Sequence, residues 1–486
     1  MKMKSLLKVA GIIAAAGLLL AGCGSSTKVK LDPDNPVTVT VWHYYNGMQQ
    51  AAFDELVDEF NNTVGHEKGI FVNGHSQGKV EELEATVQAS INKEVGSEDI
   101  PNIFSSYADT AYAVEKMGLL ADLSEYMSKD ELDTYVDSFV EEGRIGVNGE
   151  LKIFPTAKSS EVFMMNKNVW DVFSQEAGVS IDDLNTMEGL VEVARKYYEW
   201  TDAKTPDIPN DGKAFYGRDA LANLFIIGSK QLGKDIFAVE NGKVTLNVDK
   251  DIMKRIWDCY YVPFVNGYFG AYGRFRSDDL KIGQIIAFTG SSTSSMYFPT
   301  EVEIGDTKEP IEAITLPTPI FEGGENYAVQ QGAGMVVTKG TKEQEYASIE
   351  FLKWFTQKEN NMKFACTSGY LPVQKEACSQ EVLDEFIETS GMDISSKTYD
   401  GLLTGFDTIN NGHLYTNKAF DNGTSARKVL EYNLADKAAA DRAAVEESLG
   451  QGMTLEEAVA PFISDEAFNQ WFDSFNAALE DAVAGK

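Results

Sequence analysis

Three short segments near the start of the chain combine aromatic rings with hydroxyl, amide and carboxylate groups. They are residues 42–46, 75–78 and 105–109. A sugar is bound by an aromatic face that packs on its C–H groups and by side chains that donate to and accept from its hydroxyls. Trp42 and Tyr45 can equally be core residues. The candidate contacts are Trp42, Tyr44, Tyr45, Asn46, Ser76, Ser106, Tyr107 and Asp109.

A second polar group lies in residues 151–167, LKIFPTAKSSEVFMMNK, where Pro155 separates two apolar strands. Proline cannot donate to a sheet ladder, so it marks an edge or a crossover. We expect the chain to pass here between two α/β lobes, with the polar kink facing the cleft between them. Lys158, Ser159 and Glu161 are the candidate contacts. A surface turn within one domain is the alternative.

Residues 267–279, GYFGAYGRFRSDD, place two arginines beside aromatic rings and glycines. Arginine can bind a phosphate or carboxylate through two parallel hydrogen bonds. Tyr272 and Arg274 are therefore candidate contacts. The structural alternative is that Arg274 and Arg276 pair with the aspartates that follow them.

The order of predicted elements indicates what would position these groups. Residues 37–42 alternate as a β-branched strand, and apolar residues between Met48 and Phe60 recur at helical spacing. Strands near residues 69–74 and 101–106 are each followed by a helix. This alternation predicts a parallel sheet covered by helices, with ligand loops at the carboxyl ends of its strands.

The length of 486 residues exceeds what one core supports and predicts two or three domains. A net charge of −33 repels phosphate backbones, which excludes a nucleic-acid partner. The histidines and cysteines show no metal-ligand spacing, so we expect no metal and no other cofactor. Cys366 and Cys378 could form a disulfide or remain free buried thiols.

The first 22 residues combine early lysines with an apolar run that ends in small residues, which is typical of a secretory signal. The end of this run, Leu20-Ala21-Gly22-Cys23, looks like a bacterial lipobox. Its likeness implies cleavage before Cys23, a lipid on that cysteine and attachment to the outer face of the cell membrane. Residues 23–36 would be a flexible tether. The alternative is an ordinary secretion signal that ends near a cysteine.

Several ordered segments resemble the extracellular solute-binding proteins of ABC importers, the maltose-binding-protein-like group called family 1. They include VTVTVWHYYNG, PNIFSSYADTAYAVEKMGLLADLSEY, LKIFPTAKSSEVFMMNK, IGQIIAFTGSS, ITLPTPIFEGGENYAVQQGAGMVV, EYASIEFLKWFT and SGYLPVQKEA. The resemblance implies a periplasmic-binding-protein type II fold, in which two α/β lobes with parallel or mixed sheets are linked by crossover strands. The expected lobes are residues 37–155 plus 292–354 and residues 156–291 plus 355–486.

The resemblance also implies site residues. First-loop contacts fall on Tyr44 and Asn46, third-loop contacts on residues 106–109, and the crossover carboxylate on Glu161. The remaining candidates come from a second crossover and from later loops: Gly290, Ser291, Ser292, Tyr297, Gln330, Gln331, Gly332, Tyr370, Phe420, Asn422 and Arg427.

The implied function is capture of a small solute, a sugar or oligosaccharide, by a monomer that delivers it to the permease subunits of an ABC importer. Binding of a phosphorylated polyol such as glycerol 3-phosphate is the first alternative, motivated by Lys158 and the arginines. An extracellular glycosidase is the second, because carboxylates such as Asp109 and Glu161 could act as a pair.

Overall fold

The computed structural model describes residues 29–240 and 242–486. The predicted signal peptide and Cys23 lie outside these residues. The strands are β1 Val37–His43, β2 Ile70–Ser76, β3 Ile103–Ser106, β4 Ile153–Phe154, β5 Glu161–Asn166, β6 Tyr216–Arg218, β7 Phe237–Glu240, β8 Lys243–Leu246, β9 Ala287–Ser291, β10 Glu301–Ile304, β11 Thr307–Pro310, β12 Ala313–Pro317, β13 Tyr327–Val329, β14 Gly334–Val337 and β15 His413–Tyr415.

The helices alternate with these strands in the first half of the chain and dominate the second half. They are α1 Gly47–Asn62, α2 Val64–Lys68, α3 Val80–Ile91, α4 Ala108–Lys116, α5 Lys129–Leu132, α6 Asp137–Glu142, α7 Lys167–Ala177, α8 Met187–Asp202, α9 Leu221–Gln231, α10 Lys250–Ile256, α11 Val262–Val265, α12 Arg276–Lys281, α13 Lys342–Phe355, α14 Lys358–Ser368, α15 Gln380–Ser390, α16 Ser396–Asn411, α17 Gly423–Gly450, α18 Leu455–Val459 and α19 Asp465–Val483.

The first lobe is built on a sheet with strand order β2-β1-β3-β14-β4. β1 pairs in parallel with β2 and β3, whereas β14 runs antiparallel to its two neighbours. The apolar stripe predicted for α1 is buried on this sheet through Phe53, Leu56 and Phe60. The predicted alternation of strands and helices is thus confirmed.

The second lobe is built on a mixed sheet with strand order β12-β5-β9-β6. β5 lies antiparallel to β9 with Glu161 opposite Ser291, and β6 lies parallel to β9. Helices α9, α17 and α19 pack together beside it, with Phe225, Leu430 and Phe475 fully buried in one core. The predicted fold class, two α/β lobes with mixed sheets, is confirmed.

Residues 155–160 carry the chain from β4 in the first sheet to β5 in the second, which confirms the predicted crossing. The backbones of Lys158 and Leu371 exchange hydrogen bonds there, and those of Ser159 and Gln331 do the same. The second predicted crossing, at residues 290–292, is wrong. After β9 the chain stays in the second lobe, because β12 still pairs with β5, and it enters the first lobe between β13 and β14.

Two further parts of the predicted lobe boundaries are corrected. Residues 313–317 form β12, which pairs with β5 in the second sheet and not with the first. Helices α14 and α15 bury Met362, Phe364 and Leu383 in the core of the first lobe, although residues from 355 onward are expected in the second. Leu31 packs against the same core, so the predicted tether is docked on the lobe at its end.

Cys259, Cys366 and Cys378 are free and buried, so the predicted alternative of free thiols holds. Burial raises the pKa of Cys366 and Cys378 to about 12, since desolvation disfavours the charged thiolate. None of the helices within residues 29–240 and 242–486 is long and apolar enough to span a bilayer.

Candidate functional site

The two lobes face each other across a cleft of about 670 Å³. Small-molecule sites in proteins have volumes of about 300–1,000 Å³, so the cleft has room for a ligand of that class. The first lobe contributes α3 and the start of α4, and the second contributes the starts of α9 and α17. The polar side chains that line it are Glu81, Glu84, Tyr107, Asp109, Thr110, Glu142, Asn223, Gln330, Gln331, Thr416, Asn417, Thr424, Arg427 and Lys428.

Tyr107 provides the aromatic surface of the cleft. β3 ends at Ser106 and α4 begins at Ala108, so the turn between them places Tyr107 at the carboxyl edge of the sheet. Its side chain is 38% exposed, and its ring stacks on Tyr44 with centroids 6.5 Å apart and an angle of 15°. The Tyr44 hydroxyl lies 3.3 Å from the Tyr370 hydroxyl, which fixes the stack from behind.

Asp109 lies where the first turn of α4 meets the first residue of α17. Its Oδ1 is buried and has no hydrogen-bond donor among the described residues. Burial raises the pKa of Asp109 to about 6, against the opposing effects of the Arg427 guanidinium and the Phe420 amide. The carboxylate therefore sits at a lobe junction that disfavours its charged form.

Asn223, in the first turn of α9, joins three polar groups at the wall of the cleft. It is fully buried, donates through Nδ2 to Glu161 Oε1 at 2.8 Å and to Gln331 Oε1 at 3.2 Å, and accepts from Arg427 Nη2 at 2.6 Å. These contacts hold the Arg427 guanidinium against the cleft wall. Sequence reasoning missed Asn223, although a single amide inside the apolar run LANLFIIG is a detectable signal.

Gln330 and Gln331 follow β13 and lie between the lobes, as the sequence predicts. Gln330 Nε2 donates to the Ser138 carbonyl at 3.1 Å and also to the Glu142 carboxylate. Both partners are acceptors, which fixes the orientation of this amide and leaves Oε1 as its remaining polar atom. Gln331 Nε2 donates to the Ser160 carbonyl at 3.2 Å.

The charged groups of the first crossing are bound by the protein itself. Lys158 is 1% exposed, and its Nζ lies 2.6 Å from Glu142 Oε2 and donates to the Gly332 carbonyl. Glu161 is 6% exposed and forms an ion pair with Arg218. The side chains of Lys158 and Glu161 therefore do not face the cleft as predicted. Each is paired with an opposite charge because a charge buried this deeply needs a partner. Ser159 and Gly332 are likewise used in backbone contacts.

Several predicted contacts are core residues. Trp42 and Tyr45 are 1% and 2% exposed and pack in two different cores of the first lobe. Ser106 is buried and donates to the Tyr107 carbonyl, and Ser76 donates to the Tyr45 carbonyl. Apolar packing thus accounts for the Trp42 and Tyr45 rings. Their assignment as ligand contacts stays a prediction, and their burial does not support it. The same holds for Tyr370, at 7% exposure.

Other predicted contacts lie away from the residues that line the cleft. Tyr272 and Tyr297 are half exposed, and Arg274 is stacked over the neighbouring Phe275 ring, 5.1 Å from its centroid. Arg276 is buried and paired with Asp279 at 2.9 Å, the structural alternative predicted for it. None of these side chains is part of the cleft lining.

The remaining predicted positions are also accounted for by the fold. Gly290 and Ser291 end β9, and Ser292, which follows the strand, donates its amide to the Ser160 carbonyl at 2.8 Å. Asn46 is exposed beside the start of α1, and Phe420 and Asn422 precede α17 outside the cleft lining.

The cleft residues that the sequence did not single out include Glu84, Glu142, Thr416, Asn417 and Thr424. Glu84 accepts from the Thr110 hydroxyl at 2.6 Å. Acidic residues on a helix such as α3 usually face solvent, so their composition alone carries no signal of a site. Only the approach of the second lobe makes these positions part of a cavity.

Comparison with known proteins identifies the family. The profile of the bacterial extracellular solute-binding proteins matches residues 55–387, more than half of the chain. The protein belongs to this family. A relative from Halalkalibacterium halodurans, described as an arabinooligosaccharide-binding protein, is 26% identical over 302 residues, which is 58% of this chain and 61% of the relative. The match thus spans about three fifths of that protein.

Solved structures share the fold at low sequence identity. The cyclic α-maltosyl-1,6-maltose binding protein of Arthrobacter globiformis superposes with a TM-score of 0.66 at 19% identity, covering 93% of this chain and 100% of that one. A Mycobacterium tuberculosis protein in complex with glycerophosphocholine superposes with a TM-score of 0.64 at 17% identity, covering 92% of this chain and 100% of that one. A Listeria monocytogenes substrate-binding protein in complex with cycloalternan superposes with a TM-score of 0.62 at 18% identity, covering 92% of this chain and 100% of that one. These similarities establish the two-lobed fold.

Proposed function

We propose that this solute-binding protein captures a neutral carbohydrate in the cleft between its lobes and delivers it to the permease of an ABC importer. The observation that carries the proposal is the composition of the cleft wall. Tyr107 offers a partly exposed ring, while Asn223, Gln331 and Arg427 form a hydrogen-bonded network beside it. A ring for C–H groups and amides for hydroxyls are the two elements that sugar binding requires.

The charges of the cleft favour a neutral ligand over a phosphorylated polyol. Of the basic residues that motivated a phosphate site, Lys158 is paired with Glu142 and Arg276 with Asp279. Arg427 lines the cleft but already donates to Asn223. Lys428 joins it there, so a phosphorylated polyol is the second candidate. It would meet at least four carboxylates on the same walls: Glu81, Glu84, Asp109 and Glu142.

The proposal is binding without catalysis. A glycosidase of the retaining or inverting type needs two carboxyl groups that flank one bond. Glu161 is tied to Arg218 and Asn223 and does not line the cleft that Asp109 lines. The pair considered from the sequence is therefore unsuited to act on one substrate.

Capture would proceed by closure of the lobes around the ligand. The first lobe supplies Tyr107 and Asp109, and the second supplies Asn223 and Arg427, so full contact requires both lobes. A ligand that binds the closed form better shifts the population toward it, and the permease would recognise that form. We further propose that the protein acts as a monomer. Leu20-Ala21-Gly22-Cys23 supports anchoring by a lipid on Cys23 at the outer face of the membrane.

A thermal-shift screen of the purified protein tests this function. Neutral mono- and oligosaccharides and phosphorylated polyols are compared at low and high ionic strength. A ligand at about 100 times its Kd stabilises the folded state by about 2.7 kcal/mol, a measurable rise in Tm. We expect stabilisation by a neutral sugar that changes little with salt. Stabilisation by phosphates alone, lost at high salt, would replace the carbohydrate proposal with the phosphorylated polyol.

A further inference from the structure

The chain enters α9 through a strained turn. Ala220, the residue before α9, has a left-handed backbone with φ 46° and ψ 67°. Residues with a Cβ rarely adopt this conformation, and it persists only where the surrounding structure holds it in place. Ala220 also lines the cleft, so the strained backbone lies at the candidate site.

The turn brings two side chains to one carboxylate. Arg218, which precedes it, forms an ion pair with Glu161, and Asn223, which follows it, donates to the other oxygen of that carboxylate at 2.8 Å. The Asn223 amide also donates to the Ala220 carbonyl at 3.0 Å. The place of Asn223 in the cleft wall therefore depends on the left-handed turn.

Glu431 of α17 holds this turn from outside the cleft lining. Its Oε1 accepts from the Leu221 amide at 3.1 Å, and its Oε2 accepts from the Ala222 amide at 2.9 Å. These are the first two residues of α9, whose amides find no carbonyl partner within a helix. Ala220 has no side-chain oxygen to cap them, so Glu431 supplies the cap. Its negative charge is also favourable beside the positive end of the helix dipole.

We infer that Glu431 is a positioning residue, which holds the first turn of α9 so that Asn223 and Arg427 meet the ligand in one fixed arrangement. This inference rests on the proposed function and adds to it a residue that does not touch the ligand. Arg427 lies one turn before Glu431 on α17 and donates to Asn223 at 2.6 Å. The two side chains of α17 thus fix the backbone of this turn and its amide side chain together. Groups that are ordered before binding lose less conformational freedom on binding, which increases affinity.

The experiment is a calorimetric titration of the whole protein with the arabinose, xylose or glucose oligomer that gives the largest thermal shift. Glu431→Ala removes both acceptors, and we expect it to weaken binding about three- to tenfold at unchanged stoichiometry. Glu431→Gln keeps one acceptor oxygen, so its affinity should lie between those of Glu431→Ala and the wild type. Adding Ala220→Gly to Glu431→Ala should restore part of the affinity, because glycine adopts the left-handed turn without strain.

Asp436→Ala is the matched control, since Asp436 is an exposed carboxylate on the same helix. A residue that only stabilises the fold would lower the Tm in Glu431→Ala and leave the affinity of the folded molecules unchanged. Wild-type affinity in Glu431→Ala, or a loss of the same size in Asp436→Ala, would therefore overturn the inference.

Hydrogen exchange of the protein without sugar tests the turn itself. Peptides that cover residues 219–224 should exchange faster in Glu431→Ala than in the wild type or Asp436→Ala, while peptides from the first lobe exchange at the same rate in all three. Equal exchange of residues 219–224 in the three proteins would overturn the inference, whether or not a sugar binds. Faster exchange in Glu431→Ala, with no oligomer bound by the wild type, would count against the proposed function alone.

Discussion

Gly423 is the position where a single methyl group should hold the lobes apart. It is the first residue of α17 and packs against Asp109 of the opposite lobe. A Cβ at Gly423 would lie 2.5 Å from Asp109 Oδ1 and 2.8 Å from Oδ2, closer than such atoms approach in folded proteins. The backbone of Gly423 is not left-handed, so an alanine at this position strains neither α17 nor the rest of the second lobe to which α17 belongs. The substitution therefore acts on the contact between the lobes.

The size of the effect follows from this overlap. Adding a methyl group to a packed site costs about 1–3 kcal/mol. The atoms that it meets form the end of the Asp109 side chain, whose rotation relieves part of the overlap, so we expect the lower half of this range. A closed state destabilised by about 1–2 kcal/mol weakens the ligand about five- to thirtyfold. Thermal stability without ligand should change little, because each lobe keeps its own core.

The assay is a calorimetric titration of Gly423→Ala with the sugar found in the thermal-shift screen. Gly450→Ala is the matched control, since Gly450 ends the same helix and has no atom within 4 Å of an added Cβ. In an Asp109→Ala background, Gly423→Ala should have no further effect, because the overlap is gone. An affinity in Gly423→Ala equal to that of Gly450→Ala would refute the reasoning that this junction closes on the ligand.

Three further outcomes follow from the polar groups around the cleft. Closure of the lobes buries Asp109 and raises its pKa to about 6, so closure takes up a proton, and the affinity for the ligand should increase by up to about tenfold per pH unit as the pH falls below 6. Calorimetry over this pH range should find an affinity that does not change with pH in Asp109→Asn. An affinity of the wild type that falls with acid would contradict the burial of Asp109 on closure. Asn223→Ala leaves Glu161 Oε1 with one donor fewer and should lower the free energy of unfolding by about 1–3 kcal/mol, measured by urea denaturation, and weaken the ligand. Lys158→Met removes the buried cation that pairs with Glu142, a carboxylate that is 11% exposed and keeps Gln330 as a donor, and should cost about 1–3 kcal/mol of stability. A variant as stable as the wild type, judged by its Tm, would show that this ion pair does not stabilise the crossing.

Most of the fold could be predicted from local sequence patterns. The alternation in residues 37–42 and the stripe of α1 depend only on neighbouring side chains, so both elements could be predicted. The first crossing between the lobes could be predicted because Pro155 separates two apolar strands. The second could not, because β12 alternates like any edge strand and only its pairing with β5 assigns it to the second lobe. Such long-range pairing leaves no local trace in one sequence.

The site was predictable where a loop must end at the sheet edge. Tyr107 and Asp109 follow β3 directly, and Gln330 and Gln331 follow β13, so their positions are set by the strands before them. Trp42 shows the limit of this reasoning. An aromatic residue at the end of a strand can point into the core or the cleft. Both faces of β1 are covered at its end, so Val41, Trp42 and His43 are all buried, and neither the composition nor the alternation of the strand shows this.

Residues that act through partners were the hardest to assign. Lys158 and Glu161 have the composition of ligand contacts, yet each is neutralised by a residue distant in sequence or by a neighbouring element. The converse is true of Asn223, whose role depends on the approach of Arg427 from α17. Charge alone therefore does not separate a ligand contact from a buried ion pair.

The most direct test of carbohydrate capture is a crystal structure of the protein with the sugar that gives the largest thermal shift. We predict that the sugar lies between the lobes, with its C–H face on Tyr107 and hydroxyls within hydrogen-bond distance of Gln331 and Arg427. A sugar bound outside this cleft, or lobes that close in the same way without it while the sugar contacts only one lobe, would contradict the account.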